Sequence, residues 1–433
     1  SPMQCQHLDV NILSASFGGS VGSFPCKYLG LPLSLRNLRR IDLQPLLDKG
    51  ASKLAVWKGR LMNRTGRLDL INSVLTATIT YFLTSFSPSR WFTTKFDKLR
   101  RNFLWNADEE AHGGKCLVNW KRICAPLSVG GLGIKDIDAF GRALRLRWPW
   151  FEWDSSDRPW KGTPVPCNAP DLNLFAACAS ISLGDGRLVK FWSHRWLEGE
   201  APKDWAPDLF RMARSKGLTV SQALDGDAWM RGLQNINSAG LMNSFISLWM
   251  KLQNVSLLSR PDTITWKLTA SGQYTAKSAY QVQFLTRIPQ PHLQQVWKIT
   301  AEKKVKFFIW TLLQNRLWTG DRLQARNWDH NDLCAGCDQV LESAHHLILD
   351  CPFAKEIWFK TSSFFPLASQ AARHASSISA WWNRVAKLKK KGHQLDECTA
   401  AVYIAWNIWL ERNRRIFKDS AQPSTDVLVG NMP

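Results

Sequence analysis

Carboxylates are scarce in this chain: 35 aspartates and glutamates stand against 56 lysines and arginines, giving a formal charge of +21 and a pI near 9.7. Such a surplus is the electrostatic footprint of a nucleic-acid partner more often than of any other. A long apolar run is missing too. The best approximation, AAVYIAWNIWL at residues 400–410, is interrupted by Asn407 and falls short of the roughly 20 residues a membrane span needs. No secretory leader is visible, so the ten cysteines read as reduced thiols or metal ligands in an intracellular protein, nucleus and cytoplasm not being separable. The start at Ser1-Pro2 rather than at Met suggests a processed product or a fragment. Internal repeats and long low-complexity tracts are lacking, which leaves a chain of 433 residues, long enough for two or three domains with cores of their own. Tryptophan, at 23 residues, is the one type in evident excess.

The basicity is uneven. Residues 1–150 hold 22 lysines and arginines against 10 acids, more than half of the whole surplus, so removing that segment is expected to remove much of any polyanion binding. This first third reads as helical. Leu68, Ile71, Leu75, Ile79 and Phe82 recur every three or four residues, the stripe of an amphipathic helix. Lys53, Arg60, Arg64 and Arg67 would share one helical face, either a solvated surface or a ridge along a phosphate backbone, although Gly59 and Gly66 weaken a single continuous helix. A further helix is expected in TTKFDKLRRNFLW (93–105), followed by an acidic loop, ADEEAHGGK.

The middle changes character. ASISLGDGRLVKFW (179–192) and TITWKLTASGQYTAKSAY (263–280) each read as a hairpin, turning at Gly-Asp-Gly and Ser271-Gly272, with a helix starting near Ser278. The last third returns to helices. KKVKFFIWTLLQNRLW (303–318) carries an apolar stripe, with Lys303, Lys304 and Lys306 at its start, the end less favourable to positive charge. Solvent or a polyanion would supply the compensating charge. Val402, Trp406, Trp409, Leu410 and Phe417 mark a final helix with a basic ERNRR segment on its other side.

Three cysteines and two histidines crowd into CAGCDQVLESAHHLILDC (334–351). The spacing Cys334-x2-Cys337-x8-His346-x4-Cys351 suits one zinc ion, because a Cys-x2-Cys turn aims two thiolates at one centre and a His and Cys can close the tetrahedron. Four protein ligands make a structural site. A redox pair would need one low-pKa thiolate and gives no reason for His346 and Cys351 to follow; coincidence is the third alternative. Adjacent histidines seldom reach one ion together, so His345 reads as an exposed neighbour of His346.

CAGCDQVLESAHHLILDCPFAKEIW resembles the zinc-binding segment found downstream of the polymerase in reverse transcriptases of plant LINE-type (non-LTR) retrotransposons, with its Glu-Ser pair, His-Leu, final Cys and following Trp. That resemblance implies the same ligands, Cys334, Cys337, His346 and Cys351. KYLGLPLS (27–34) is similar to the segment after the palm, and GRLDLINSVL, RRNFLW, VNWKRICAP and GGLGIKD to the helical thumb and connection. GDGRLVKFWSHRW, WKLTASGQYTAKSAY, KVKFFIWTLLQNRLWTGDRL and IAWNIWLERNRRIF follow in family order. His194, where Asp is common, and Ser128, where Lys is usual, depart from the pattern, and AFGRALRLRW lacks an Asn often found there.

The resemblance implies a mainly α fold with small β-hairpins. Residues 1–150 would be a thumb-like helical region, 151–260 a hairpin-containing connection, 261–365 the zinc-binding domain and 366–433 a basic helical tail. RNA or DNA and the missing N-terminal polymerase and endonuclease portion are the implied partners, with no membrane. Nucleotide polymerisation needs two metal ions held by paired carboxylates, which the family supplies as Tyr-x-Asp-Asp. No Asp-Asp dipeptide occurs in this chain, so no catalytic residue is assigned and the chain alone is expected to be inactive. The closest approximations are Asp108-Glu109-Glu110, Asp136 with Asp138, Asp225 with Asp227, and Asp396-Glu397. A transposon-derived protein-interaction module, or a non-functional relic, is the alternative. Outside the cluster, Cys116 and Cys124 read as core thiols beside Trp120. Lys387 and Lys389–Lys391 read as a solvated loop or a nucleic-acid contact. Most tryptophans are core, with Trp91, Trp192, Trp318 and Trp382 as candidates for base stacking.

Overall fold

The computed structural model describes residues 16, 18, 24, 26–34, 36–54, 59, 61–106, 116–153, 164–231, 233, 238–388 and 396–429. These residues are mainly helical, with two small antiparallel sheets. They fall into two compact units, each discontinuous in sequence. One comprises residues 1–80, 89–136 and 286–433, and the other residues 81–88 and 137–285. The first 150 residues therefore do not stand alone, because most of them share a unit with the C-terminal third.

In the first unit a hairpin pairs Cys26–Tyr28 with Leu31–Leu33. Its two-residue turn, Leu29-Gly30, has φ of +49° and +84°, the left-handed pair that matches the twist of flanking strands. The helix Arg40–Lys53 ends at Leu54. A new helix opens at Arg64 because the Asn63 side chain accepts the Gly66 N–H at 2.9 Å. Lys53 therefore lies on one helix and Arg64 and Arg67 on a later one, so the single ridge suggested by their spacing is divided; Arg60 lies outside the described residues.

From Arg64 the helix runs on through a π-helical turn at Ile71–Leu75 to Ser85. The expected stripe is its buried face: Leu68 is 9% exposed, Phe82 2%, and Ile71, Leu75 and Ile79 are fully enclosed. The helix Arg90–Asn106 follows, and the acidic loop after it lies outside the described residues. Residues Gly130–Gly133 then press against the C-terminal third. The Trp310 indole N–H donates to the Gly130 carbonyl at 2.8 Å, and a Cβ on Gly131 would sit 2.0 Å from the Ala125 carbonyl oxygen, so only glycine fits.

The second unit corrects one expectation. Ala179–Ser182 does not fold back on residues 187–192; it pairs with Thr263–Trp266, so the two expected hairpins contribute one strand each to a single sheet. Asp262 is the physical reason. Its carboxylate accepts the N–H groups of Gly184, Gly186, Leu188 and Val189 at 2.7–3.1 Å, wrapping the Gly-Asp-Gly loop around itself. Burial pushes the Asp262 pKa up, but the four donors outweigh it and hold the group below the ordinary carboxylate range. Ser271-Gly272 does turn the chain, with the Trp266 N–H meeting the Gly272 carbonyl at 2.7 Å, and the next helix starts at Ala276 behind a Thr275 cap. Elsewhere in this unit Arg142 and Arg145 converge on Asp171, which is fully buried. His194 is a half-buried imidazole whose Nδ1 accepts the Lys190 N–H. Burial first, then Lys190 and Lys203, lower its pKa to about 4.

The C-terminal third returns to the first unit. The helix Lys303–Leu313 is enclosed along most of its length, with Val305, Phe308, Ile309 and Leu312 buried as the stripe requires and Phe307 and Trp310 buried beside them. The terminal helix Glu397–Lys418 buries Val402, half-buries Trp406, Trp409 and Leu410, and leaves Phe417 76% exposed, outside the core it was expected to join. No helix among the described residues is long and apolar enough to cross a membrane.

Candidate metal centre and basic surface

The metal centre is assembled from a tight turn, a π-helical turn and a helix start. The Cys334–Cys337 knuckle closes on itself, with the Cys337 and Asp338 N–H groups both reaching the Cys334 carbonyl at 3.1 and 2.8 Å, while the Cys334 N–H reaches Val340. Ser343 accepts the His346 N–H at 3.1 Å and so sets the turn His346–Asp350. The extra residue of that π-helical turn brings the Cys351 N–H to the His346 carbonyl at 2.7 Å, and Pro352 then starts the helix Pro352–Thr361. Trp358 of that helix locks the turn from behind, donating to the Ile348 carbonyl at 2.8 Å.

As a result the Sγ atoms of Cys334, Cys337 and Cys351 and a ring nitrogen of His346 all lie within 4.8 Å of one another. Cys334 Sγ and Cys351 Sγ are 3.9 Å apart, and Cys337 Sγ and His346 Nε2 are 3.4 Å apart. A tetrahedral zinc with ordinary bond lengths would separate sulfurs by about 3.8 Å and sulfur from nitrogen by about 3.6 Å. A disulfide would need about 2.0 Å. The donor set therefore fits one zinc ion and excludes a disulfide between Cys334 and Cys351. The hydrogen bond from Cys334 Sγ, together with the Phe353 and Ala354 N–H groups, lowers the Cys351 pKa to about 5 against the opposing effect of burial. Cys334, as the donor in a buried setting, is pushed upward. His345 turns away, its Nε2 2.9 Å from Asp350, so His346 is the one that faces the thiols. Of the thiols outside the cluster, Cys124, Cys167 and Cys398 are each raised to about 12, chiefly by burial, which disfavours the reactive thiolate.

A support the spacing did not reveal comes from the terminal helix. Arg412 and Glu342 form a buried ion pair, with Nε 3.0 and 3.1 Å from the two carboxylate oxygens, and Glu342 also takes the Gly320 N–H. Arg415 donates to the carbonyls of Ala335 and Gly336 inside the knuckle, at 3.1 Å each, and lies over the Phe353 ring. Glu411, 1% exposed, holds Arg414 and Arg415 in place. The ERNRR segment thus turns inward as a clamp rather than outward as a basic surface. The sequence signal for it was the acid at Glu411 three and four residues before Arg414 and Arg415, an intrahelical pairing that marks a constrained face.

Of the expected nucleic-acid contacts, Lys53 is exposed at its helix end. Lys303 pairs with Asp69 at 2.8 Å, Lys304 with Glu302 at 2.6 Å, and Lys306 donates to the Trp297 carbonyl, its pKa lowered by burial. Arg64 is half-buried over the Trp105 ring, and Arg67 donates to the Gly59 carbonyl. Trp192 and Trp382 are core residues and cannot stack on bases. Trp91 carries Arg40 over its ring, and Trp318 stacks on Trp328 at 4.9 Å with Arg326 over it. Lys387 is described, but Lys389–Lys391 lie outside the described residues.

Such a closed Cys3His set is a structural zinc centre. Residues 274–358, which enclose it, match the family described as zinc-binding in reverse transcriptase, and this part of the chain carries that domain. A protein of Arabidopsis thaliana named "Putative ribonuclease H protein" is 21% identical over 425 residues, covering 90% of this chain and 67% of that protein.

Proposed function

We propose that this chain is the C-terminal part of a LINE-type retrotransposon reverse transcriptase, an intracellular zinc-stapled module that holds RNA or DNA for a polymerase centre lying outside it. The observation that carries this reading is the closed Cys3His set within the reverse-transcriptase zinc-binding match, in a chain of net charge +21. A zinc with four protein ligands keeps no open position for chemistry, so its role is to hold shape. The nucleic-acid contacts are assigned to Lys53, Arg60, Arg64, Arg67, Lys303, Lys304 and Lys306. Binding to single-stranded RNA is expected to weaken with salt with a log–log slope of about −3, as for roughly four neutralised phosphates. Because the first third shares a unit with the C-terminal third, point substitutions and not truncation are the test: Lys53→Gln with Lys304→Gln should flatten the slope. A slope near zero in the parent chain would favour the protein-interaction reading.

The chain alone is expected neither to extend a primer nor to perform the nuclease reaction in its relative's name. Several of its closest acidic pairs have other work. Asp396 caps the terminal helix through the Thr399 N–H, and Glu397 accepts the Leu367 and Ala368 N–H groups. Asp225 and Asp227 lie in a short turn around Gly226, while Asp108-Glu109-Glu110 lies outside the described residues. Primer extension on an RNA template with magnesium or manganese is the measurement. Extension abolished by alanine at Asp136 and Asp138 would overturn the fragment reading.

A further inference from the structure

Within the first unit one cavity of about 440 Å³ lies between the start of the helix at Arg64, the end of the helix Arg90–Asn106, the helix Lys303–Leu313 and the terminal helix. That volume falls in the range of about 300–1,000 Å³ typical of small-molecule sites. Its walls combine two chemistries. Arg64, Arg67, Lys304 and Arg316 supply positive charge, Trp105, Trp318, Trp406 and Trp409 supply aromatic surface, and no carboxylate among the described residues lines it. The positive charge continues beyond the mouth. Arg316 has Arg322 and Arg326 near enough that, after burial, they lower its pKa, and Arg122 feels Arg316 in the same way. Among the described residues no acidic side chain forms an ion pair with Arg64, Arg316, Arg322 or Arg326. Arg64 and Arg316, held near like charges with no ion-pair partner among the described residues, create a standing demand for an anion.

A second observation points the same way. Trp105 is 5% exposed and lines the cavity, yet among the described residues its indole N–H has no acceptor. A buried donor left unpaired is costly, about 1–3 kcal/mol, and is ordinarily satisfied by a ligand or a water.

We propose that this cavity takes one unpaired nucleotide of a single strand, its phosphate among Arg64, Arg67 and Arg316 and its base against the tryptophan walls. The inference rests on the nucleic-acid reading above and sharpens it. A paired base is stacked within a duplex and cannot enter such a cavity, whereas a base at a strand end or in a bulge can. Preference for unpaired strand over duplex follows from the shape of the site and not from net charge.

The test uses the full zinc-loaded chain and two fluorescent RNA probes of equal length, one single-stranded and one a blunt duplex, at fixed salt. The single strand is expected to bind at least tenfold tighter. Arg316→Gln and Trp318→Phe should each erase most of that preference while zinc content and melting temperature stay at parent values. As a control, Arg211→Gln, on an exposed helix of the other unit, should leave it unchanged. Equal affinity for the two probes, unaltered by Arg316→Gln, would overturn the cavity assignment while leaving salt-dependent nucleic-acid binding standing. Absence of binding to both probes would overturn both. Adenosine 5′-monophosphate is the last arm: displacement of the strand by micromolar free nucleotide would mark the site as one for free nucleotides and overturn the strand assignment.

Discussion

Protein purified under reducing conditions should contain one zinc per chain, and Cys337→Ser or His346→Ala should release it. The effect should be large. Structural zinc contributes on the order of 10 kcal/mol to the fold of small sites, and the four donors here come from three separate local elements, a knuckle, a π-helical turn and a helix start. Without the ion, three thiol groups and an imidazole are left packed within 4.8 Å of one another, a donor set with no other bonding partner of comparable strength. Chelation should therefore melt residues 334–351 and loosen the helix Pro352–Thr361 that follows. Elemental analysis reads the metal, and hydrogen exchange reads the melting. Zinc-free protein with unchanged protection over 334–361 would refute the assignment.

Arg412→Ala should lower the unfolding free energy of the first unit by about 3–5 kcal/mol, because it strands the Glu342 carboxylate, 2% exposed, without its counter-charge. Glu342→Ala should cost a similar amount for the mirror-image reason and also frees the Gly320 N–H. The double replacement Glu342→Leu with Arg412→Met should cost less than either single change, since both buried charges are then removed together. Denaturant midpoints of the four proteins check this. Additive losses would mean that the pair is not the clamp described. Zinc should also leave the Arg412→Ala protein faster, because the terminal helix would then hold the knuckle through Arg415 alone.

The Cys3His donor set was legible at the level of residues because metal coordination is a short-range demand: two cysteines separated by two residues on a turn, followed by an imidazole and a third cysteine, mark a candidate set by their spacing, and the family resemblance favoured His346 over His345. The helical stripe from Leu68 to Phe82 was legible for a similar reason, since a period of 3.6 is written in consecutive residues. Strand pairing was not. Ala179–Ser182 has a turn signal immediately after it, yet its partner is Thr263–Trp266, and the deciding group is Asp262, one carboxylate whose four backbone donors lie far away in sequence.

The charges divide in the same way. The sequence by itself determined the chemistry: a basic chain, a Cys3His donor set, a mainly helical fold, and no paired aspartates. Only the tertiary structure decided where each charge is spent. Arg412, buried, and Arg415, half-buried, sit in a segment that reads as a basic surface yet turn inward to hold the zinc-binding region; Lys303 is matched by Asp69; and Arg64, Arg67 and Arg316 come together around tryptophans from three separate parts of the chain. The physical reason is that a side chain's burial and its counter-charge are set by neighbours brought close by folding. Net charge counts every lysine and arginine alike, whereas binding a polyanion depends on those whose field is not already cancelled.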